Sequence, residues 1–315
     1  MASSKSVVLA ALVANGAIAV MKFLGYLLTG SPAMLSETYH SVSDTGNQVF
    51  LLIGIRFGAQ DATRAHPFGY GKAQFFYSFL VSVLLFGIAG WESAKHGYDA
   101  LVHGGVHRAS EDVTLFGASF DPILVNYAVL IGAIIFEAWA FKKAYEAITK
   151  QMAEQGWSTL REAFRKTSDV TTLTALTEDA IALGGAGIAL LGVYLTRVTE
   201  NPVYDAASAL LIGLMLMGFA VALAWENKRL LIGESVPKEK ERELREIVAG
   251  GDGVVEVVDF RTVYFGPNRI LVAADVAFDP SIDADEMDDL ITRLEDDVIA
   301  ANSGVKKVYI EPETA

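Results

Sequence analysis

The sequence predicts a polytopic α-helical membrane protein of six transmembrane helices followed by a small C-terminal α+β domain. Three observations carry that expectation. Of the 315 residues 52% are hydrophobic, with a mean hydropathy of +0.35, more apolar surface than an ordinary globular core can hide. Six apolar runs are long enough to cross a hydrocarbon layer, which takes about 20 helical residues. Beyond Ser235 the composition changes to short alternating strands and amphipathic helices.

The six predicted spans run from Val7 to Thr29, Ala33 to Phe57, Phe75 to Trp91 with helical extension, Ile123 to Phe141, Thr171 to Leu195 and Ala206 to Trp225. The first exceeds a signal-peptide core and lacks a convincing cleavage site, so it is expected to remain as a helix. Short cytoplasmic loops carry the excess of basic residues. Lys5, Arg56, Arg64, Lys72, Lys142, Lys143, Lys150, Arg161, Arg165, Lys166, Lys228 and Arg229 fall on one side, against Lys95, Arg108 and Arg197 on the other. Both termini are therefore expected in the cytoplasm, and the cell membrane is the expected location. The domains divide as a membrane unit over 1–230 and a cytoplasmic unit over 231–315.

In the second unit, "PKEKERELREIVAG" reads as a helix opening after Pro237 and closing at Gly250. "VVEVVDFRTVYFG" and "RILVAADVAFDP" alternate with strand period and are joined through Gly266, Pro267 and Asn268, a hairpin signal. "DADEMDDLITRLEDDVIAA" opens on acidic residues that suit the helix dipole, and "VKKVYIEP" is a closing strand. The order is helix, strand, strand, helix, strand.

Charge and composition exclude several classes. The chain has no cysteine, so disulfides, thiolate ligands and cysteine catalysis are ruled out. The net charge is −13, and after Ser235 nineteen acidic residues face nine basic ones, which argues against a nucleic-acid partner. All five histidines, His40, His66, His96, His103 and His107, precede residue 108, so any metal held by the C-terminal unit must be bound by oxygen. No Gly-rich phosphate loop, nucleophile elbow or triad spacing points to an enzyme.

The chemistry concentrates in two of the spans. Glu37, His40, Asp44 and Asn47 interrupt the second, and Glu178 with Asp179 interrupts the fifth. Ionisable groups at membrane depth cost several kcal/mol unless they meet a cavity, a partner or an ion. His40 and Asp44 are four residues apart and share a helix face. At ~1.5 Å per residue, Asp44 lies roughly 15 Å from the outer end of its span and Asp179 roughly 13 Å from the inner end of its own, so the two meet near the midplane. His40, Asp44 and Asp179 are the candidate metal ligands, with Glu178 a fourth. Asn47, on the face of Asp44, is a candidate to line the path. One imidazole and two or three carboxylates suit Zn²⁺, and also Mn²⁺, Fe²⁺ or Co²⁺. Glu92 and Glu137 could accept a proton or pair with lysine. Lys22 is expected to snorkel or to pair with an acid, His66 and Lys72 to fix their loop, and His96, His103 and His107 to sit in a solvated outer loop.

"HSVSD" in the second span, the loop "HPFGYGKAQ" from His66 to Gln74, the six-helix layout and a C-terminal unit ending in "VYIEPE" together resemble the cation diffusion facilitator family over essentially the whole chain. "SETYHSVSDTGNQ" and "TED" are most similar to the zinc transporter nine branch. The resemblance implies a homodimer with cytoplasmic ferredoxin-like domains, and alternating access that exchanges a divalent metal, zinc foremost, for protons across the lipid bilayer. By position, His40 and Asp44 match the second-helix ligand pair, and Asp179 matches the aspartate of the fifth-helix pair. Two positions depart from the pattern: Ala175 stands where most members carry His or Asp, with Glu178 the nearest replacement, and Tyr70 stands where many relatives have a second loop histidine. The same residues fit two other readings, a monovalent cation/proton antiporter and a metal-sensing membrane protein without transport.

Overall fold

The computed structural model describes residues 4–104, 113–115, 118–121, 123–166 and 170–313. The elements run α1 (Ser4–Thr29), α2 (Pro32–Gly58), α3 (Ala73–Leu84), a π-helical turn (Leu85–Gly90), α4 (Trp91–His103), β1 (Val113–Leu115), β2 (Ala118–Phe120), α5 (Ile123–Gln155), α6 (Leu160–Lys166), α7 (Val170–Thr199), α8 (Val203–Ile232), α9 (Lys238–Ala249), β3 (Val254–Gly266), β4 (Arg269–Phe278), α10 (Ala284–Ala301) and β5 (Val305–Glu313). Among the described residues four helical stretches are long and apolar enough to cross a membrane: Ala73–His103, Ile123–Glu154, Leu176–Thr199 and Val203–Ile232. Helix α2 is as long, at 27 residues, but Glu37, Asp44, Arg56 and several hydroxyl and amide residues dilute its apolar character. Helix α1 is 26 residues long and apolar through most of its length. Helices thus stand where all six spans are expected, and among the described residues four stretches meet the measure of length and apolar character.

The chain forms two compact units, one of Met1–Leu52 with Leu80–Ala224 and the other of Ile53–Phe79 with Trp225–Ala315. The first is a helical bundle. Its core gathers Ala33 and Met34 of α2, Leu85 and Ala89 of the π turn, Leu130 of α5, Ala189 and Val193 of α7 and Ile212, Leu216 and Ala220 of α8. Outward, Phe23, Leu24, Ile135, Trp139, Leu191, Leu211 and Val221 are exposed, an apolar surface that suits lipid and not water. Helix α4 and helix α8 touch backbone to backbone: a Cβ on Gly97 would strike Leu210, and one on Gly213 would strike Ala94. Small residues at such contacts let helices approach where no hydrophobic force drives them together.

The turn between α1 and α2 sets the rest of this unit. Gly30 adopts φ 70° and ends α1, donating its N–H to the Tyr26 carbonyl at 2.7 Å. Ser31 then caps α2 by accepting from the Met34 N–H at 3.2 Å, and Pro32 takes the first helical position, where its missing N–H costs nothing. Asp205 of α8 completes the cap: its carboxylate accepts from the Ser31 hydroxyl at 3.0 Å and the Ala33 N–H at 3.2 Å, negative charge at a helix N-terminus.

In the second unit the three-stranded sheet has the order β3-β4-β5, with β3 antiparallel and β5 parallel to the central β4. The α10 crossover allows the parallel pair. Ile270, Val272, Ala274 and Val276 of β4 meet Leu244 and Val248 of α9 and Leu290, Leu294 and Val298 of α10, strand period against helix period. Asp283 caps α10 by accepting from the Glu286 N–H at 2.9 Å. Pro267 and Asn268 form the tight turn between β3 and β4, and Asn268 takes φ 52°, which asparagine tolerates well. The "HPFGYGKAQ" loop belongs to this same unit. His66 lies against Tyr70 with ring centroids 4.3 Å apart and the planes tilted by 32°, Lys72 Nζ donates to the Leu231 carbonyl at 3.4 Å, and a Cβ on Gly71 would lie 2.6 Å from the Phe265 carbonyl.

Asp259 and Asp275 face each other across β3 and β4, and Arg261 bridges them, its Nε donating to Asp259 at 2.7 Å and its Nη2 to Asp275 at 3.1 Å. Arg261 holds the Asp259 carboxyl below the usual carboxylate range. The exposed bridge therefore stabilises the strand pair above that range and fades as pH falls through the lowered value. In the intact protein, Arg261→Ala is expected to speed hydrogen exchange in β3 and β4 at pH 7 in low salt, with the difference from wild type shrinking below about pH 4. A second expectation concerns the α2 cap: Asp205→Ala should destabilise the bundle by about 1–3 kcal/mol by leaving buried donors unpaired, read as a lower melting temperature of the detergent-solubilised protein, with Asp205→Asn intermediate.

Candidate functional site

Helix α2 turns one polar stripe inward. Glu37, His40 and Ser41 are buried, and Asp44 and Asn47 follow on the same side and are partly exposed. His40 Nε2 lies 3.5 Å from Asp44 Oδ2, near enough to share a cation yet without a hydrogen bond: neither ring nitrogen of His40 has a hydrogen-bond partner among the described residues. An imidazole left bare at this depth costs free energy unless a proton or metal uses it.

Helix α7 answers with the two acids. Glu178 Oε1 accepts from Asn47 Nδ2 at 2.8 Å, a bond that joins α2 to α7. The neighbouring Asp179, turned ~100° round the helix, is partly buried and feels the charge of Asp44. Asp44 also acts on Glu178. The α2 pair and the α7 acids are thus electrostatic neighbours joined through Asn47, while among the described residues no three His, Asp or Glu side chains are gathered closely enough to hold an ion. Like-charged carboxylates repel at short range. Ala175 lies one turn before Asp179 on α7, and its side chain is outside the described residues.

Two features escape a reading of the sequence alone. Lys22 and Glu37, at 1% and 0% exposure, form an ion pair of 2.7 Å; a lysine in an apolar span can equally snorkel, and only the fold chooses its partner. Glu137 of α5 lies within electrostatic reach of Asp44, Asp179, Lys22 and Glu37, so it faces the same interior. Its signal in the sequence is a lone acid in "AIIFEAWAF". Glu92 acts on Tyr39 instead. His96 meets the Tyr26 ring edge-on at 6.5 Å, His103 is exposed at the end of α4, and His107 lies outside the described residues.

A bundle with an apolar outside and an interior seam of ionisable groups defines an integral membrane protein. The chain belongs to the cation efflux family: the model of the cation efflux transmembrane domain matches residues 8–232, and that of the cation efflux protein cytoplasmic domain matches 236–315. The family is one of transporters and not of enzymes. Among similar proteins, the Proton-coupled zinc antiporter SLC30A9, mitochondrial, of Mus musculus and of Homo sapiens is 29% identical over 273 residues, covering 87% of this chain and 46% of the relative. Metal tolerance protein C4 of Arabidopsis thaliana is 26% identical over 276 residues, with 87% and 57% covered. Magnetosome protein MamM of Paramagnetospirillum magneticum is 23% identical over 312 residues, with 98% and 88% covered. The chain spans about half the length of the two zinc antiporters.

The Asn47–Glu178 bond is the direct polar tie between the two halves of the site, and its strength is measurable. A double-mutant cycle with Asn47→Ala and Glu178→Ala, read by denaturant unfolding in mixed micelles, is expected to return a coupling on the order of 0.6–1.7 kcal/mol, the range found for hydrogen bonds between membrane helices.

Proposed function

We propose that the protein carries a divalent metal cation, zinc foremost, across a lipid bilayer in exchange for protons, by alternating access about a site between α2 and α7. His40 supplies nitrogen, Asp44 and Asp179 supply carboxylate oxygen, and Glu178 is the fourth ligand. Asn47 supports Glu178 and lines the path. Six crossings of the membrane by a unit over 1–230 put both termini on the cytoplasmic side, and the unit over 231–315 is a ferredoxin-like domain through which two copies pair.

The observation that carries this reading is the bare imidazole of His40 beside Asp44, with the acids of α7 in electrostatic reach across the Asn47 bond. The carboxylates of Asp44, Glu178 and Asp179 repel one another, and the attraction of a doubly charged ion bound among them outweighs that repulsion. Binding requires neutral imidazole and ionised carboxylates, so the arrival of metal expels protons and the arrival of protons expels metal. His40, whose type titrates nearest physiological pH, is the leading exchange group. Family membership and the zinc antiporter names of the 29% identical relatives favour zinc. Manganese, iron and cobalt suit the same nitrogen and oxygen donors.

In proteoliposomes under a proton gradient, His40→Ala and Asp44→Ala are expected to abolish zinc-dependent proton flux while the detergent-solubilised protein stays folded and dimeric, and Asp179→Asn to reduce flux at least tenfold, about 1.4 kcal/mol in the transport barrier. Wild-type flux in both α2 variants would refute the site. Sodium-driven flux in place of zinc flux would identify a monovalent antiporter, and a zinc-dependent rise in melting temperature without flux would identify a sensor.

A further inference from the structure

The Lys22–Glu37 pair has a feature that a purely structural ion pair does not need. Glu37 Oε2 is held by Lys22 Nζ at 2.7 Å, but Oε1 is buried and has no hydrogen-bond partner among the described residues. Low dielectric makes an unused carboxylate oxygen expensive, and buried ion pairs retained for stability satisfy their remaining lone pairs. Two neighbours bear on that oxygen. Gly185 of α7 passes directly over it, so that a Cβ there would sit 2.7 Å from Oε1. His40, three residues on and on the same face of α2, is the residue whose two ring nitrogens are also unpartnered.

The layering follows from α2 and α7 running antiparallel. Asn47 meets Glu178, and Glu37 meets Gly185, so the Glu37 layer lies beyond His40 and Asp44 along the same seam, ~10 Å from Glu178 measured along α7. The turn at Gly30 places Lys22 opposite Glu37 from α1, eight residues before the glycine against seven after it. The field of Lys22 reaches past its partner to Asp44 and to Glu137. It is a buried cation inside a seam of acids.

We propose that Lys22 and Glu37 form a charge-exchange station on the cation path: the ammonium holds Glu37 while the path is empty, and a metal ion moving to or from His40 displaces it and takes the carboxylate, through the oxygen left free beside Gly185. Lys22 thus acts as a tethered competitor that keeps the cargo from being trapped among the acids. This rests on the transport reading and adds a second cation-contacting group to it.

The test uses the full chain in nanodiscs for zinc calorimetry and in proteoliposomes for zinc flux, with three variants, Lys22→Met, Glu37→Gln and the double Lys22→Met/Glu37→Met. Lys22→Met is expected to tighten zinc binding by about 5- to 150-fold, the range of a coupling between two sites, and to slow flux because release is hindered. Glu37→Gln, which keeps an acceptor for Lys22, is expected to slow flux about tenfold with binding at His40 retained. The double variant replaces a buried pair by apolar groups and is expected to fold as well as wild type yet to carry zinc at least about tenfold more slowly. Wild-type affinity and flux in the folded double variant, or loss of the fold in both it and Glu37→Gln, would mark the pair as structural and overturn the station. Absence of zinc binding in the wild type itself would instead overturn the transport reading, which separates the two failures.

Discussion

The expense of placing charge inside an apolar bundle governs how this protein is built. Each ionisable group in the first unit has to be neutralised, paired or used, and α2 concentrates Glu37, His40 and Asp44 within about two turns. That stripe fixes the rotation of α2, because only one face of the helix meets Lys22 from α1 and Glu178 from α7. The cap at Ser31, backed by Asp205, and the glycine turn at Gly30 then fix where along the bundle the stripe lies. The fold around the site is the arrangement that lets these charges find one another while the remaining helix faces meet lipid.

Two kinds of polar contact coexist along that seam. Lys22 with Glu37 and Asn47 with Glu178 are short and directional, at 2.7 Å and 2.8 Å, and they hold helices in register. His40 and Asp44 approach to 3.5 Å, and His40 makes no hydrogen bond among the described residues, while Asp179 feels the charge of Asp44. A group locked by a hydrogen bond must break it before accepting another partner, whereas a bare imidazole or carboxylate can accept a passing ion without that cost. The short contacts tie α1 and α7 to α2, and the longer approach of His40 to Asp44 leaves these two side chains without such a tie.

Much of this was legible in the sequence, for reasons that differ by element. The helices stand where apolar runs demand them, because about 20 residues without backbone breaks have few alternatives. The order of α9, β3, β4, α10 and β5 was readable because period-2 and period-3.6 patterns alternate there between turn residues such as Pro267 and Asn268. Helix α2 was the hard case: the polar residues of the candidate site are the ones that lower its hydropathy. The partner of Lys22 was not readable, since a flexible four-carbon stem can reach several acids and only the tight turn at Gly30 selects Glu37. The role of the loop from His66 to Gln74 was not readable either, since its membership of the second unit depends on the backbone of Gly71 fitting against Phe265 and Gly266, a contact between segments far apart in the chain.

Glu137 shows how such a seam can be extended from the remaining helices. It comes from α5, which packs along α7, and it feels Asp44, Asp179 and Lys22 together. A carboxyl so placed shares the field of the site from a third helix. Its charge therefore matters to the site through the sum of the local potential, which in a medium of low dielectric falls off slowly enough for a group beyond contact distance to weigh on the balance. With five acids, Glu37, Asp44, Glu137, Glu178 and Asp179, and the single permanent cation Lys22 among these described residues, full ionisation would leave the interior strongly negative. A bundle in that state repels itself unless protons or a divalent ion make up the difference.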